Sequence, residues 1–288
     1  MMKENFYTVL IEAVKNEEAF VKVFWVFAQH IGEAIGIVEA YLNTLDLVKF
    51  RIEEVDPADR NDLPTDVIEL EHNKLYCTEA GYSYPIEEYP DFNLPSGVVL
   101  SSEEGDYEYE ALTEGYLVYE DEDQIQHLEI VVDQSRLFDL YFDIGELLKS
   151  IRVFWLRLAD DWEVDGTLEI YANESLNDLV RIKQFVMDNY EDIFRSGFLT
   201  ATIYSEEGAT NLNLDEHKII HILTQSKDLV AEIKDFLDKS NFQHFDAENF
   251  VSVEYGFHHW HYRPIQSKDR AELIELLLKN GFFLWKRE

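Results

Sequence analysis

Thr167-Leu-Glu-Ile-Tyr-Ala-Asn173 alternates apolar and polar side chains and stops at an asparagine, the pattern of a half-buried strand running into a turn. Ser175 follows as an N-cap candidate, its hydroxyl able to accept from a backbone N–H that the first helical turn leaves unpaired. Leu176, Leu179, Val180, Ile182, Val186, Ile193 and Phe194 then recur at spacings of three and four, which predicts a helix, with Gly197 as its C-cap. Leu199 to Tyr204 reads as the next strand. Glu206 to Asp215, with Gly208 and its asparagines, reads as a loop, and Lys218 to Thr224 as a strand. Ser226 opens a second helix through Lys239, with Leu229, Val230, Ile233, Phe236 and Leu237 on one face. Phe250 to Tyr255 is a further strand. The order over residues 167–256 is β-α-β-β-α-β, that of a ferredoxin-like unit, in which two helices cover one face of an antiparallel sheet. A helix from Ser267 to Asn280 and a strand from Phe282 to Lys286 extend it.

The same order is expected upstream. Phe6 to Val14 reads as a strand, Glu17 to about Leu45 as a mostly helical apolar stretch, and Leu47 to Val55 as a strand. Gln126 to Asp133, Arg136 to Lys149 and Ile151 to Leu158 read as strand, helix and strand. Between them, at about 56–125, lies an acidic insertion holding five of the six prolines and short strands such as Glu114 to Glu120. The expected fold is therefore α+β: two ferredoxin-like (βαββαβ) units in tandem, one over residues 1–160 with the insertion, the other over 167–288 with an extra C-terminal helix and strand. Within the second, Gln225-Ser-Lys-Asp228 recurs as Gln266-Ser-Lys-Asp269, and Lys239-Ser-Asn-Phe242 as Lys279-Asn-Gly-Phe282. That echo, with a period of about 40, describes a strand–cap–helix–strand unit used twice.

The 288 residues carry 59 acidic and 24 basic side chains, a formal net charge of −35. Such a balance argues against direct contact with nucleic acid, which needs a basic face to displace counterions, and against adsorption to anionic lipid. The apolar run Ala19 to Ala28 contains Lys22 and falls short of the ~20 residues a bilayer span requires. The N-terminus lacks a clean apolar stretch with a small-residue cleavage site, so no secretory signal is read there. Cys77 is the only cysteine, which excludes an intrachain disulfide and a thiolate metal cluster within one chain. It is read as an ordinary small side chain. A reducing, cytoplasmic location is expected.

The charge is uneven. Residues 75–135 contain 16 Asp or Glu and no Lys or Arg. The densest parts are Glu103, Glu104, Asp106, Glu108 and Glu110, with Tyr107 and Tyr109 interleaved, and Glu120-Asp121-Glu122-Asp123. Clustered carboxylates steer a cationic partner and tyrosines supply rigid contact area, so these residues are the candidates for partner binding. Calcium is a poor fit, because the spacing and positional glycine of an EF-hand are missing. The run Gly256-Phe257-His258-His259-Trp260-His261 holds the candidate metal ligands, His258, His259 and His261; imidazoles at i and i+2 of a strand share a face. His217 and His221, at i and i+4, also share a face. No phosphate-binding glycine loop, nucleophile elbow or His-Glu-x-x-His is present, and no cofactor is expected. Asp160, Asp161 and Glu163 read as an exposed turn.

The sequence thus favours a non-enzymatic, acidic cytoplasmic protein of the interaction or inhibitor type that docks a basic protein. The alternatives are a metal-binding module or metal-assisted hydrolase centred on His258–His261, and an oligomerisation domain, such as a homodimer formed through sheet edges.

Overall fold

The computed structural model describes residues 5–79, 81–89, 91–100, 112–159, 162, 166–246, 257–259, 262–264 and 266–287, with the side chains of 88, 99, 100 and 257–259 left out. Expected features at Phe250–Tyr255, Asp160, Asp161 and Glu163 lie outside these residues. Among the described residues the protein is a mixed α+β structure with two major sheets and six α-helices.

The first sheet starts with a hairpin. Strand β1 (Asn5–Lys15) pairs antiparallel with β2 (Glu18–Ala28) over its whole length. The expected helix from Glu17 is therefore a strand up to Ala28. Phe20, Val21, Val23, Phe24, Trp25, Val26 and Phe27 are the aromatic and β-branched types that suit a pleated surface, and β1 offers them a complete hydrogen-bonding partner. Asn16 and Glu17 make the two-residue turn with φ of 52° and 66°. Helix α1 (Ile31–Leu42) follows, its first turn capped by His30, whose Nδ1 accepts from the Glu33 N–H at 3.1 Å. Strands β3 (Lys49–Pro57), β4 (Val67–Glu71) and β5 (Leu75–Thr78) complete the order β3-β1-β2-β5-β4, and β6 (Tyr82–Pro85) also pairs with β2. Much of the insertion is thus part of this sheet. Cys77 lies buried in the core under α1, where desolvation raises its thiol pKa, the situation of a packing residue. A small two-stranded sheet joins β7 (Val98–Leu100) to β16 (Phe257–His259).

The second sheet has nine strands. In chain order they are β8 (Gly115–Glu120), β9 (Gln126–Val131), β10 (Ile151–Leu158), β11 (Glu169–Asn173), β12 (Leu199–Ser205), β13 (Thr210–Leu214), β14 (Ile220–Thr224), β15 (Gln243–His244) and β17 (Phe283–Arg287). In space they run β15-β8-β9-β14-β13-β12-β10-β11-β17, antiparallel throughout except for the β15–β8 pair. Strands on both sides of the expected 160/167 boundary thus belong to one sheet, with β10 pairing to both β11 and β12, and β9 to β14. The expected loop at Glu206–Asp215 contains β13. Its Thr210, Leu212 and Leu214 are buried while Asn211 and Asn213 face the other way, so asparagine here is a strand residue on the polar face.

The helices of this region, α2 (Gln134–Glu146), α3 (Leu179–Asp188), α4 (Tyr190–Ile193), α5 (Lys227–Lys239) and α6 (Arg270–Lys279), contribute to one continuous core with Leu128, Ile130, Leu156, Ile203, Leu212 and Ile222 of the sheet. All five pack against the same face. Helix α3 begins later than Ser175, because the Asn173 carboxamide holds Ser175 and Leu176 in a turn and Asp178 caps the helix. The echoed Gln-Ser-Lys-Asp segments differ likewise. Ser226 caps α5, whereas α6 is capped by Asp269 in a reciprocal capping box with Glu272. The two layers meet at Arg195, which donates to Glu39 of α1 (3.2 Å), Glu191 (2.9 Å), Ser96 (3.2 Å) and the Tyr262 hydroxyl (3.2 Å). Burial raises the pKa of Glu39, and the Arg195 cation works against that rise.

Candidate functional site: the open face of the nine-stranded sheet

Among the described residues every helix of this region lies on one side, and the other side of the sheet is the surface left for contact. Strand alternation decides what it displays, and the pairing registers align those side chains in rows. One row crosses β10, β12, β13, β14, β9 and β8 as Trp155, Thr202, Asn213, His221, Glu129 and Leu117. The next crosses β12 to β8 as Tyr204, Asn211, Leu223, His127 and Tyr119.

Aromatic rings form two ridges. Trp155 stacks on Tyr204 (centroids 5.9 Å apart) and on Trp285 of β17 (5.3 Å), and Tyr119 stacks on His127 (4.7 Å). A concavity of about 590 Å³ runs beside the tryptophans, floored by Thr200, Thr202, Asn211 and Asn213 and bounded by His221 and Leu223. Thr202 donates to the Asn213 carbonyl oxygen at 2.8 Å. The Asn213 amide hydrogens and the whole Asn211 carboxamide have no hydrogen-bond partner among the described residues. One corner of the face is closed: Phe92, Val98 and Leu112 pack on Val131 and Ile219.

Carboxylates mark both ends of β14. At the Ile220 end, the β13–β14 turn is organised by Asp215, which accepts from the Ile219 N–H (2.9 Å) and His221 Nε2 (3.0 Å), with His217 Nδ1 at 3.6 Å. Burial opposes ionisation of Asp215, but the hydrogen bonds and charge of the two histidines outweigh it and hold the carboxyl well below the usual range. Burial likewise disfavours the His221 cation, and Asp215 overcomes this and raises its pKa. Glu216 accepts from Thr200 (2.8 Å) and lies 3.5 Å from Arg157. Beneath the turn, Lys218 is buried and donates to the Ser196 carbonyl at 2.6 Å; desolvation brings its pKa down to about 8 although Asp215 and Glu216 pull it up.

At the Thr224 end stands the tip of the β8–β9 hairpin. Glu120 bonds Lys227 (2.6 Å) and Gln126, and Asp121 accepts from the Asp123 and Ile125 N–H groups and from His127 Nε2. Glu122 and Asp123 are exposed. Of the sequence candidates, Glu120, Asp121, Glu122 and Asp123 therefore lie together beside the open face, while Glu103, Glu104, Asp106, Tyr107, Glu108, Tyr109 and Glu110 lie outside the described residues. Among the metal candidates, His258 and His259 are backbone members of β16, paired with Val99 and Val98, and His261 lies outside the described residues. Among the described residues no group of three or more His, Cys, Asp and Glu is arranged to hold a metal ion; His217 and His221 instead converge on one oxygen of Asp215.

The sequence signalled His217 and His221 through their spacing, but their partner emerges only across the turn. Asn211 and Asn213 were hidden by the loop-like composition, and the Trp155–Trp285 contact joins residues 130 positions apart. A second cavity, of about 150 Å³, lies between α1, β3 and the 93–98 segment; its guanidinium groups, Arg51 and Arg195, are held by Glu12 and Glu53 and by Glu39 and Glu191. No helix among the described residues is long and apolar enough to cross a membrane. Comparison with protein-family models, with curated proteins and with solved structures gave no match in any of the three.

Proposed function

We propose that this is a non-catalytic, cytoplasmic binding protein that docks a basic protein partner, as an inhibitor or modulator, on the open face of the nine-stranded sheet. The observation that carries the reading is the make-up of that face: in the middle, aromatic ridges, the Asn211 carboxamide and the Asn213 amide hydrogens, which have no hydrogen-bond partner among the described residues, and carboxylates at both ends of β14. Trp and Tyr are the residue types that dominate binding energy at protein interfaces, and Asn supplies adaptable hydrogen bonding. The surrounding charge of −35 would repel an anionic partner and speed encounter with a cationic one. In this reading Glu103, Glu104, Asp106, Glu108 and Glu110, with Tyr107 and Tyr109, also contact the basic partner. We also propose that the sheet derives from two ferredoxin-like arms, which depart from the expected bounds 1–160 and 167–288 because each takes strands from both sides of residue 160 while β1 and β3 lie in the first sheet. On one side of β13 run β14, β9, β8 and β15, on the other β12, β10, β11 and β17, and each arm ends in the edge strand that follows an echoed helix.

The test is capture from native lysate at about 0.05 M and about 0.5 M salt, comparing the native chain with a variant carrying Glu108→Lys, Glu110→Lys, Glu122→Lys and Asp123→Lys. A basic protein retained by the native chain at low salt and lost from the variant supports the reading. Equal retention by both, with unchanged salt sensitivity, rejects it.

A further inference from the structure

We infer that the element received on the open face is a basic amphipathic α-helix of about three turns; this rests on the docking reading above. The ridges set the width. Tyr204 on β12 and His127 on β9 stand in one register row, three strand spacings apart, which is about 14 Å. A helix with its side chains measures about 10–12 Å across and fills such a trough, whereas a lone extended strand would leave it half empty. An incoming strand also gains its main-chain hydrogen bonds at a sheet edge, and a face offers none.

The length follows from β14. Its five residues span about 17 Å, the rise of about 11 helical residues. At the Ile220 end, Phe92, Val98 and Leu112 stop the trough; at the Thr224 end, beside the hairpin tip, no such apolar cluster among the described residues closes it. Leu223 gives the floor an apolar point and Asn211 and Asn213 give it carboxamides, which matches a helix stripe mixing apolar and small polar side chains at i, i+3, i+4 and i+7. Exposed Glu122 and Asp123 at the open end call for Lys or Arg at the matching end of the helix.

The test uses the full chain and two synthetic Leu/Lys peptides of equal composition and about 12 residues. In one the leucines follow helical spacing, in the other they alternate. Binding is read from the fluorescence of the tryptophans and from NMR shift mapping. The helical peptide is expected to bind at least about tenfold more tightly, and to lose about tenfold with either Leu223→Lys or Asn211→Lys. Glu275→Lys, on exposed α6 behind the sheet, should leave it unchanged. If the alternating peptide binds as well and is equally sensitive to the face variants, the helix inference falls and the docking reading stands. If neither peptide responds to the face variants, both fall.

Discussion

Asp215 Oδ2 lies 3.0 Å from His221 Nε2, six residues along the chain and across the turn from β13 to β14. The same carboxylate accepts from the Ile219 N–H, so one side chain both closes the turn and orients an imidazole of the open face. Asp215→Asn should cost about 1–3 kcal/mol at pH 7, measured by urea denaturation. Because the carboxyl pKa is depressed in the folded protein, its contribution is complete above the unfolded value near 4 and lost as pH falls through the folded value. The variant should therefore lose less stability than the native chain on acidification below pH ~4. The His221 pKa should fall in the same variant, read by NMR titration.

Lys218 titrates in the opposite part of the pH range. Its folded pKa of about 8 lies below the ordinary 10.5, so between these values the unfolded chain binds more protons and stability rises with pH. The rise attributable to this group is up to about 3 kcal/mol. Lys218→Met should flatten the stability profile over that window relative to the native chain. Parallel profiles would show that Lys218 is not the group responsible.

Glu169 is almost completely buried and receives Arg270 (2.9 Å), Arg287 (Nε at 2.7 Å) and the Tyr171 hydroxyl (3.2 Å). It ties α6 and edge strand β17 to β11. Glu169→Gln leaves two guanidinium groups without their counter-charge, and a cost of about 3–5 kcal/mol is expected. Hydrogen exchange should quicken first in α6 and β17, ahead of β12 and β13.

Glu17 holds φ at 66° in the second position of the β1–β2 turn, where an L-residue is strained and glycine is not. Glu17→Gly should raise stability by about 0.5–1 kcal/mol, seen as a higher urea midpoint at constant slope. A fall in stability would mean that the Glu17 side chain contributes more than its backbone costs.

Most strands were legible because alternation is a local signal. Leu199–Tyr204, Ile151–Leu158 and Gln126–Asp133 are strands within a residue or two of expectation. The failures have physical causes. Ala19–Ala28 is apolar on both faces, so its periodicity does not separate helix from strand, and the β1 partner decided for strand. Thr210–Leu214 carries turn-forming asparagines, yet two flanking strands hold it in the sheet. Capping was readable for Ser226 and displaced at Ser175, where Asn173 captured the local N–H groups first.

By itself the sequence determined the element types outside Glu17–Ala28 and Glu206–Asp215, the net charge and the hairpin-tip carboxylates Glu120–Asp123, since each depends on composition or on neighbours a few residues away. The tertiary structure alone decided that nine strands share one sheet, that all the helices beside it take the same face, and that Trp155 meets Trp285 and His221 meets Asp215. A strand's backbone groups accept any partner of suitable register, so which strand lies next to which is settled by long-range packing, and with it the face that remains open.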